Sequence, residues 1–220
     1  MSTQVAAIVA AAGLSRRMGS CKQLLDLGGK SILAHCLENL LAGGVSDIVV
    51  VVGPQGEAVA VEARRYPVRI ALNNDQQGDM ASSVRSGYAM LPPETSGIIV
   101  ALCDYPLVAP ATIAGIVAAH ADQPAAIIVP VHNGRKGHPS LFPMAVLEDL
   151  KDEITLRDLV RSDPCRLRLL AVDDPGILQD MDTPEDYELL RQLIGGSDTA
   201  ASQAHGGIHE QGTTGYRSAE

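Results

Sequence analysis

The sequence predicts an α/β protein: a three-layer, Rossmann-like domain with a mostly parallel central sheet and some mixed strand directions late in the chain. Three observations carry this. Continuous apolar runs of strand length recur at 5–12, 48–52, 98–102 and 127–131, with a further strand at 68–72. A run without polar alternation suits a strand covered on both faces. Segments with helical spacing lie between these runs, and turn-forming residues such as Gly13, Gly43-Gly44, Gly53-Pro54 and Pro92-Pro93 mark the junctions.

Taken in order, the first run ends at Gly13 and leads into a loop that holds Gly19, Arg16, Arg17 and Lys22. A helix is expected over 31–42, where Ile32, Leu33, Cys36, Leu37, Leu40 and Leu41 recur at helical spacing and Gly43-Gly44 stops them. Helices at 57–65, 80–90 and 110–121 follow the next three strands; Pro110 sits in a first turn, where its missing N–H costs nothing. Beyond residue 131 the pattern loosens into a short strand at 139–142, short helices at 146–150 and 155–161, and a strand at 167–172. A closing helix at 184–194 has Thr183 as its N-cap, with Glu185 and Asp186 at its positive end. From Gly195 the composition turns to Gly, Ser, Thr, Gln and His, which reads as a domain over 1–194 and a disordered tail over 195–220. His205 and His209 in that tail are too few ligands for a tight metal site.

The net charge of −9 argues against non-specific binding to nucleic acid or acidic membranes. With no Trp, one Phe and five Tyr, the chain also has few platforms for stacking bases. No signal-like N-terminus and no apolar run of membrane-spanning length are present, so a cytoplasmic protein is expected. The cysteines, Cys21, Cys36, Cys103 and Cys165, are far apart and read as reduced thiols.

Five stretches carry chemistry. The first reads A-A-G-x-S-x-R-M-G-x-x-K, from Ala11, Ala12 and Gly13 through Ser15, Arg17 and Gly19 to Lys22. Glycines after a buried strand let backbone N–H groups approach an anion, and the cations neutralise it, so this loop suits a polyphosphate. It is not a P-loop: Gly29-Lys30-Ser31 would end one, but Leu24 stands where its first glycine must be. It is not the dinucleotide fingerprint either, because Ser15 stands two after Gly13. The second stretch places Asp104 directly after the fourth strand, at the end of the sheet where ligands bind. A carboxylate near a triphosphate needs a cation between them, so Asp104 is a candidate Mg²⁺ ligand or, alternatively, a helix cap before Pro106. The third, 179–186, offers Asp182 as a second ligand with Asp180 as alternate. The fourth, 133–139, is a basic loop holding Gly137, His138 and Pro139. In the fifth, Asn73, Gly78 and Ser83 open a helix that would present N–H groups and hydroxyls to a nucleotide, or simply cap it.

Together these strings resemble the nucleotidyltransferases that act on the molybdenum cofactor, and look most like the cytidylyltransferase (MocA-like) branch, over 5–193. The resemblance implies the nucleotide-diphospho-sugar transferase fold and Mg²⁺-dependent transfer of CMP from CTP to the terminal phosphate of molybdopterin, with release of pyrophosphate. Ala12, where guanylyltransferase relatives have a second glycine, goes with CTP. It further implies Arg17, Lys22 and Asp104 as catalytic; Ala11, Ala12, Gly13, Ser15, Arg16, Gly19, Asn73, Gly78 and Ser83 as nucleotide-binding; Asp104 and Asp182 as metal ligands; and Gly137, His138 and Pro139 as facing the acceptor. A monomer that hands its product to an apo-molybdoenzyme is expected. Cys103 departs from the family's pattern, which has glycine before the aspartate. Two alternatives remain: nucleotidyl transfer to a sugar or alditol phosphate, and a non-catalytic carrier of the cofactor.

Overall fold

The computed structural model describes residues 4–13, 21–75, 79–151 and 154–204, the last stretch as backbone alone from 196. Ten strands and seven α-helices alternate along it. The strands are β1 (Gln4–Ala10), β2 (Asp26–Leu27), β3 (Lys30–Ser31), β4 (Asp47–Val52), β5 (Arg69–Leu72), β6 (Thr95–Leu102), β7 (Ile127–His132), β8 (Arg135–Lys136), β9 (Ser140–Pro143) and β10 (Leu167–Ala171). The helices are α1 (Ile32–Ala42), α2 (Glu57–Ala63), α3 (Met80–Tyr88), α4 (Pro110–Asp122), α5 (Met144–Leu147), α6 (Leu156–Ser162) and α7 (Pro184–Ala204).

The main sheet runs in the order β10-β7-β9-β6-β1-β4-β5, with β8 paired to β7. β1, β4, β5 and β6 are mutually parallel, β10 is parallel to β7, and β9 lies antiparallel between β6 and β7. The expected late mixing of strand directions is thus one inserted strand, which the hairpin through β8 turns back.

The unbroken apolar runs follow from the layers. Side chains alternate across a strand. Ala7 and Val9 of β1 and Ile48, Val50 and Val52 of β4 pack with α1, α2 and α4. Ile8 of β1 and Val49 and Val51 of β4 pack on the other face, with Ala81 and Val84 of α3 and Leu159 of α6. Both faces are dry, so neither set can be polar. Each aliphatic side chain removed from water stabilises the fold by about 1.5–3 kcal/mol.

Ser31 caps α1, its Oγ accepting from the Ala34 N–H at 3.1 Å. β2 and β3 form a small hairpin absent from the sequence reading; Gly28 and Gly29 turn it at positive φ, where a side chain would be strained. The last helix, expected over 184–194, runs on to Ala204. The rest of the tail, with His205 and His209, lies outside the described residues. No described helix is long and apolar enough to cross a membrane.

Candidate active site

β1 and β6 are neighbours with Ala10 level with Leu102, so 11–13 and 103–104 leave the sheet side by side. Cys103 N–H donates back to the Ala10 carbonyl at 3.3 Å, and Ala11 N–H to the Val51 carbonyl at 2.9 Å. Beyond these strand ends lies a cleft of about 160 Å³, lined by Ala12 and Gly13, by Lys22 and Gln23, by Asp79, Met80 and Ser83 of the α3 N-terminus, and by Cys103 and Asp104.

The centre of charge is Lys22. Its Nζ donates to Asp104 Oδ2 at 2.8 Å, to Asp182 Oδ1 at 2.9 Å and to the Met181 carbonyl at 3.2 Å. Residues 82 and 160 positions away in sequence thus meet at one ammonium group. Burial pulls the Lys22 pKa down, but the charge and hydrogen bond of Asp104, and then those of Asp182, outweigh it and hold the pKa above its usual value. Lys22 is therefore charged at neutral pH. The other oxygen of Asp104, Oδ1, is buried and has no hydrogen-bond partner among the described residues.

Asp182 is fixed from behind. Thr183 Oγ1 accepts from the Asp186 N–H at 3.2 Å, while Asp186 Oδ2 accepts from the N–H groups of Asp182 at 3.1 Å and Thr183 at 2.8 Å. This is the reciprocal cap that the sequence placed at Thr183. Among the described residues no group of three or more His, Cys, Asp or Glu side chains is arranged to hold a metal. Two carboxylates bracketing a cation, one with an unpartnered buried oxygen, do fit an ion that keeps several waters and takes its remaining ligands from phosphate.

The nucleotide-side residues divide. Ala12, Gly13 and Ser83 line the cleft. Ala11 and Asn73 are buried beneath it: Asn73 Nδ2 donates to Ser82 Oγ at 2.9 Å and Ser83 Oγ at 3.1 Å, and so sets the hydroxyls. Asp79 caps α3 through the Ser82 N–H at 2.9 Å. Ser15, Arg16, Arg17, Gly19 and Gly78 lie outside the described residues.

The acceptor-side triplet is more enclosed than an exposed basic loop. Gly137 and Pro139 are buried, and a Cβ on Gly137 would strike the Ile177 carbonyl. The His138 ring lies 5.0 Å from that of Tyr105. Burial holds the His138 pKa below its usual value despite the pull of Asp104 and Asp180, so the ring is neutral at pH 7. Tyr105 is pushed up to about 12, by burial first and then by Asp180, Asp104 and Asp182. The basic side chains of that loop, Arg135 and Lys136, are exposed on β8.

Residues 7–165 match the model of the MobA-like NTP transferase domain. The chain belongs to this family. Among curated proteins it is similar to nicotine blue oxidoreductase of Paenarthrobacter nicotinovorans, 29% identical over 199 residues that cover 84% of this chain and 96% of the relative. Among solved structures it is similar to Rv0371c of Mycobacterium tuberculosis, with TM-score 0.73 and 31% identity, covering 86% of this chain and 99% of that one. A structure of Rv0371c in complex with manganese gives TM-score 0.72 at 30% identity, covering 87% and 100%. Nucleotidyltransferase, the coarse activity in the sequence reading, is thus the class to which this MobA-like chain is assigned by family and fold.

Three further residues support this MobA-like site: Gln23, Tyr105 and Asp174. Gln23 is buried; its Nε2 donates to the Ala11 carbonyl at 3.1 Å and the Gly13 carbonyl at 3.0 Å, tying the end of β1 to the short helical turn that carries Lys22. Its signal was a lone amide between Lys22 and the apolar pair Leu24-Leu25. Tyr105 directly follows Asp104 in the chain. Asp174 acts on residues 65 and 62 positions away and has no local sequence signal.

Proposed function

We propose that this protein transfers CMP from CTP to the terminal phosphate of molybdopterin, releasing pyrophosphate, with its catalytic domain within 1–194. The observation that carries this reading is the convergence of Lys22, Asp104 and Asp182 at the rim of a cleft floored by Ala12 and Gly13.

The chemistry asks two anions to approach. A phosphate monoester has its second pKa at about 6, so the nucleophile is ionised at pH 7 without a base. Catalysis then rests on orientation and charge. Gly13 and the α3 N-terminus hold the triphosphate and its sugar through N–H groups and the Ser83 hydroxyl. Asp104 and Asp182 would hold Mg²⁺, which when bound neutralises phosphate charge. Lys22, permanently charged, turns from the two acids to the phosphates and with Arg17 stabilises the departing pyrophosphate. Neutral His138, with Gly137 and Pro139, shapes the acceptor side. Ala12 supports CTP through the resemblance noted above, and Rv0371c, solved with manganese, supports a divalent ion.

The test is pyrophosphate release with each of CTP, GTP, ATP and UTP, with and without molybdopterin. Release with CTP only when molybdopterin is present is expected; no release with any combination overturns the reading. The name of the relative from Paenarthrobacter favours a second reading, an oxidoreductase on the same fold. Consumption of NADH or NADPH without pyrophosphate release would select it.

A further inference from the structure

Asp182 reaches the site on a strap, 172–183, that belongs to no strand of the sheet. Something must fix the strap closely enough for Asp182 and Asp104 to share one ammonium. Met181 N–H donates to the backbone carbonyl of Asp104 at 3.0 Å, which ties down the far end. The near end is tied by Asp174, a carboxylate only 6% exposed.

Helix α4 begins at Ala109-Pro110, and Ala109 has no side chain with which to cap it. The first N–H groups of a helix need acceptors from elsewhere. Asp174 supplies one from 65 residues away: its Oδ2 accepts from the Ala109 N–H at 2.9 Å and from Thr112 Oγ1 at 2.6 Å. Its Oδ1 accepts from the Gly176 N–H at 2.9 Å, turning the strap inward. Gly176 then lies so close to the loop after β6 that a Cβ would meet the Leu107 carbonyl. Next, the Ile177 carbonyl accepts from the His138 N–H at 2.9 Å. Both carboxyl oxygens of Asp174 thus have donors.

We propose that Asp174 is a positioning residue: it locks the strap carrying Asp182 to the loop carrying Asp104 and thereby sets the affinity of the acid pair for a divalent cation. This rests on the reading of Asp104 and Asp182 as the metal-holding pair. A strap fixed at both ends holds the two carboxylates at one spacing. Without Asp174 the strap keeps its backbone ties at Ile177 and Met181 but loses its buried side-chain anchor, so the spacing of the two carboxylates is held less tightly. Partners behind metal ligands control affinity by about 10–100-fold.

The experiment is a calorimetric titration of the full chain with Mn²⁺, with and without α,β-methylene-CTP, alongside thermal unfolding. Asp174→Asn keeps the shape but sets an NH₂ group against N–H or O–H donors; a roughly tenfold weaker Mn²⁺ affinity is expected. Thr112→Val removes one donor and leaves the carboxylate and both backbone bonds, so it decides the matter if Asp174→Asn does not fold; a smaller loss in the same direction is expected. Thr112→Ser, which keeps the hydroxyl, should restore wild-type affinity. Ile127→Val, a core change away from the strap, should lower the melting temperature without moving the Mn²⁺ affinity. Wild-type Mn²⁺ affinity in the folded Thr112→Val and Asp174→Asn proteins overturns the proposal alone. Wild-type protein that takes up no Mn²⁺ under either condition overturns the metal reading and this proposal together.

Discussion

Asp104 leaves the end of β6, a strand hydrogen-bonded along both edges to β1 and β9. Asp182 ends a strap held by the Asp174 carboxylate, two close backbone approaches and two backbone hydrogen bonds. The two acids meet at Lys22, but their supports differ in kind. The first is the cooperative core of a parallel sheet, where position follows from register. The second is a chain of local locks, each worth about 1–3 kcal/mol or less when broken. Chemistry placed at a strand end inherits the rigidity of the whole sheet; chemistry placed on a strap depends on each lock in turn.

Breaking the shared centre has the largest expected effect. Lys22→Ala and Asp104→Ala should each slow pyrophosphate release on the order of 10²–10³-fold, as when a positioned charge-stabilising group is removed, while circular dichroism stays native. Retention of more than half the wild-type turnover by either would separate the cluster from catalysis.

Core substitutions sharpen the comparison in stability terms. Ile8 is fully buried in β1, and Ile8→Ala should cost about 2–5 kcal/mol in urea unfolding. Leu189 on α7 is 53% exposed, and Leu189→Ala should stay within about 0.5 kcal/mol. A large loss at Leu189 would mean that α7 has a packing partner at that face.

The smallest effect concerns pH. Burial lowers the pKa of His120, and burial lowers that of His138 against the pull of nearby carboxylates. The unfolded chain therefore binds more protons than the folded one from about pH 6.5 down to the lowered folded values. Stability should be fully present above that window and fall as the pH drops through it, seen as a falling urea midpoint between pH 7.5 and pH 5. His138→Asn should flatten part of that slope; an unchanged slope would show that the ring is not kept neutral by its enclosure.

Much of the first support was legible in the sequence. Continuous apolar runs mark strands buried on both faces, so β1, β4, β6 and β7 could be placed within a few residues, and Asp104 then fell at a sheet end. Thr183 announced its helix because capping is local. The strap was legible only as a motif. Asp174 and Gln23 act through hydrogen bonds to distant backbone, which leave no periodicity in the chain. The one hint was negative: α4 starts at Ala109-Pro110 without a capping side chain, so its cap had to come from elsewhere. The extension of α7 to Ala204 was hidden because Gly195-Gly196 resembles a stop.

The central claim is that the two acids, brought from different supports, act as one unit. The measurement that tests it most directly is a double-mutant cycle on the rate of CTP-dependent pyrophosphate release, using Asp104→Asn, Asp182→Asn and the pair together. A shared centre is already disabled by the first change, so the double variant should be little slower than Asp104→Asn alone. If the two losses instead multiply, the acids act independently, and the account of a single charge centre at Lys22 is contradicted.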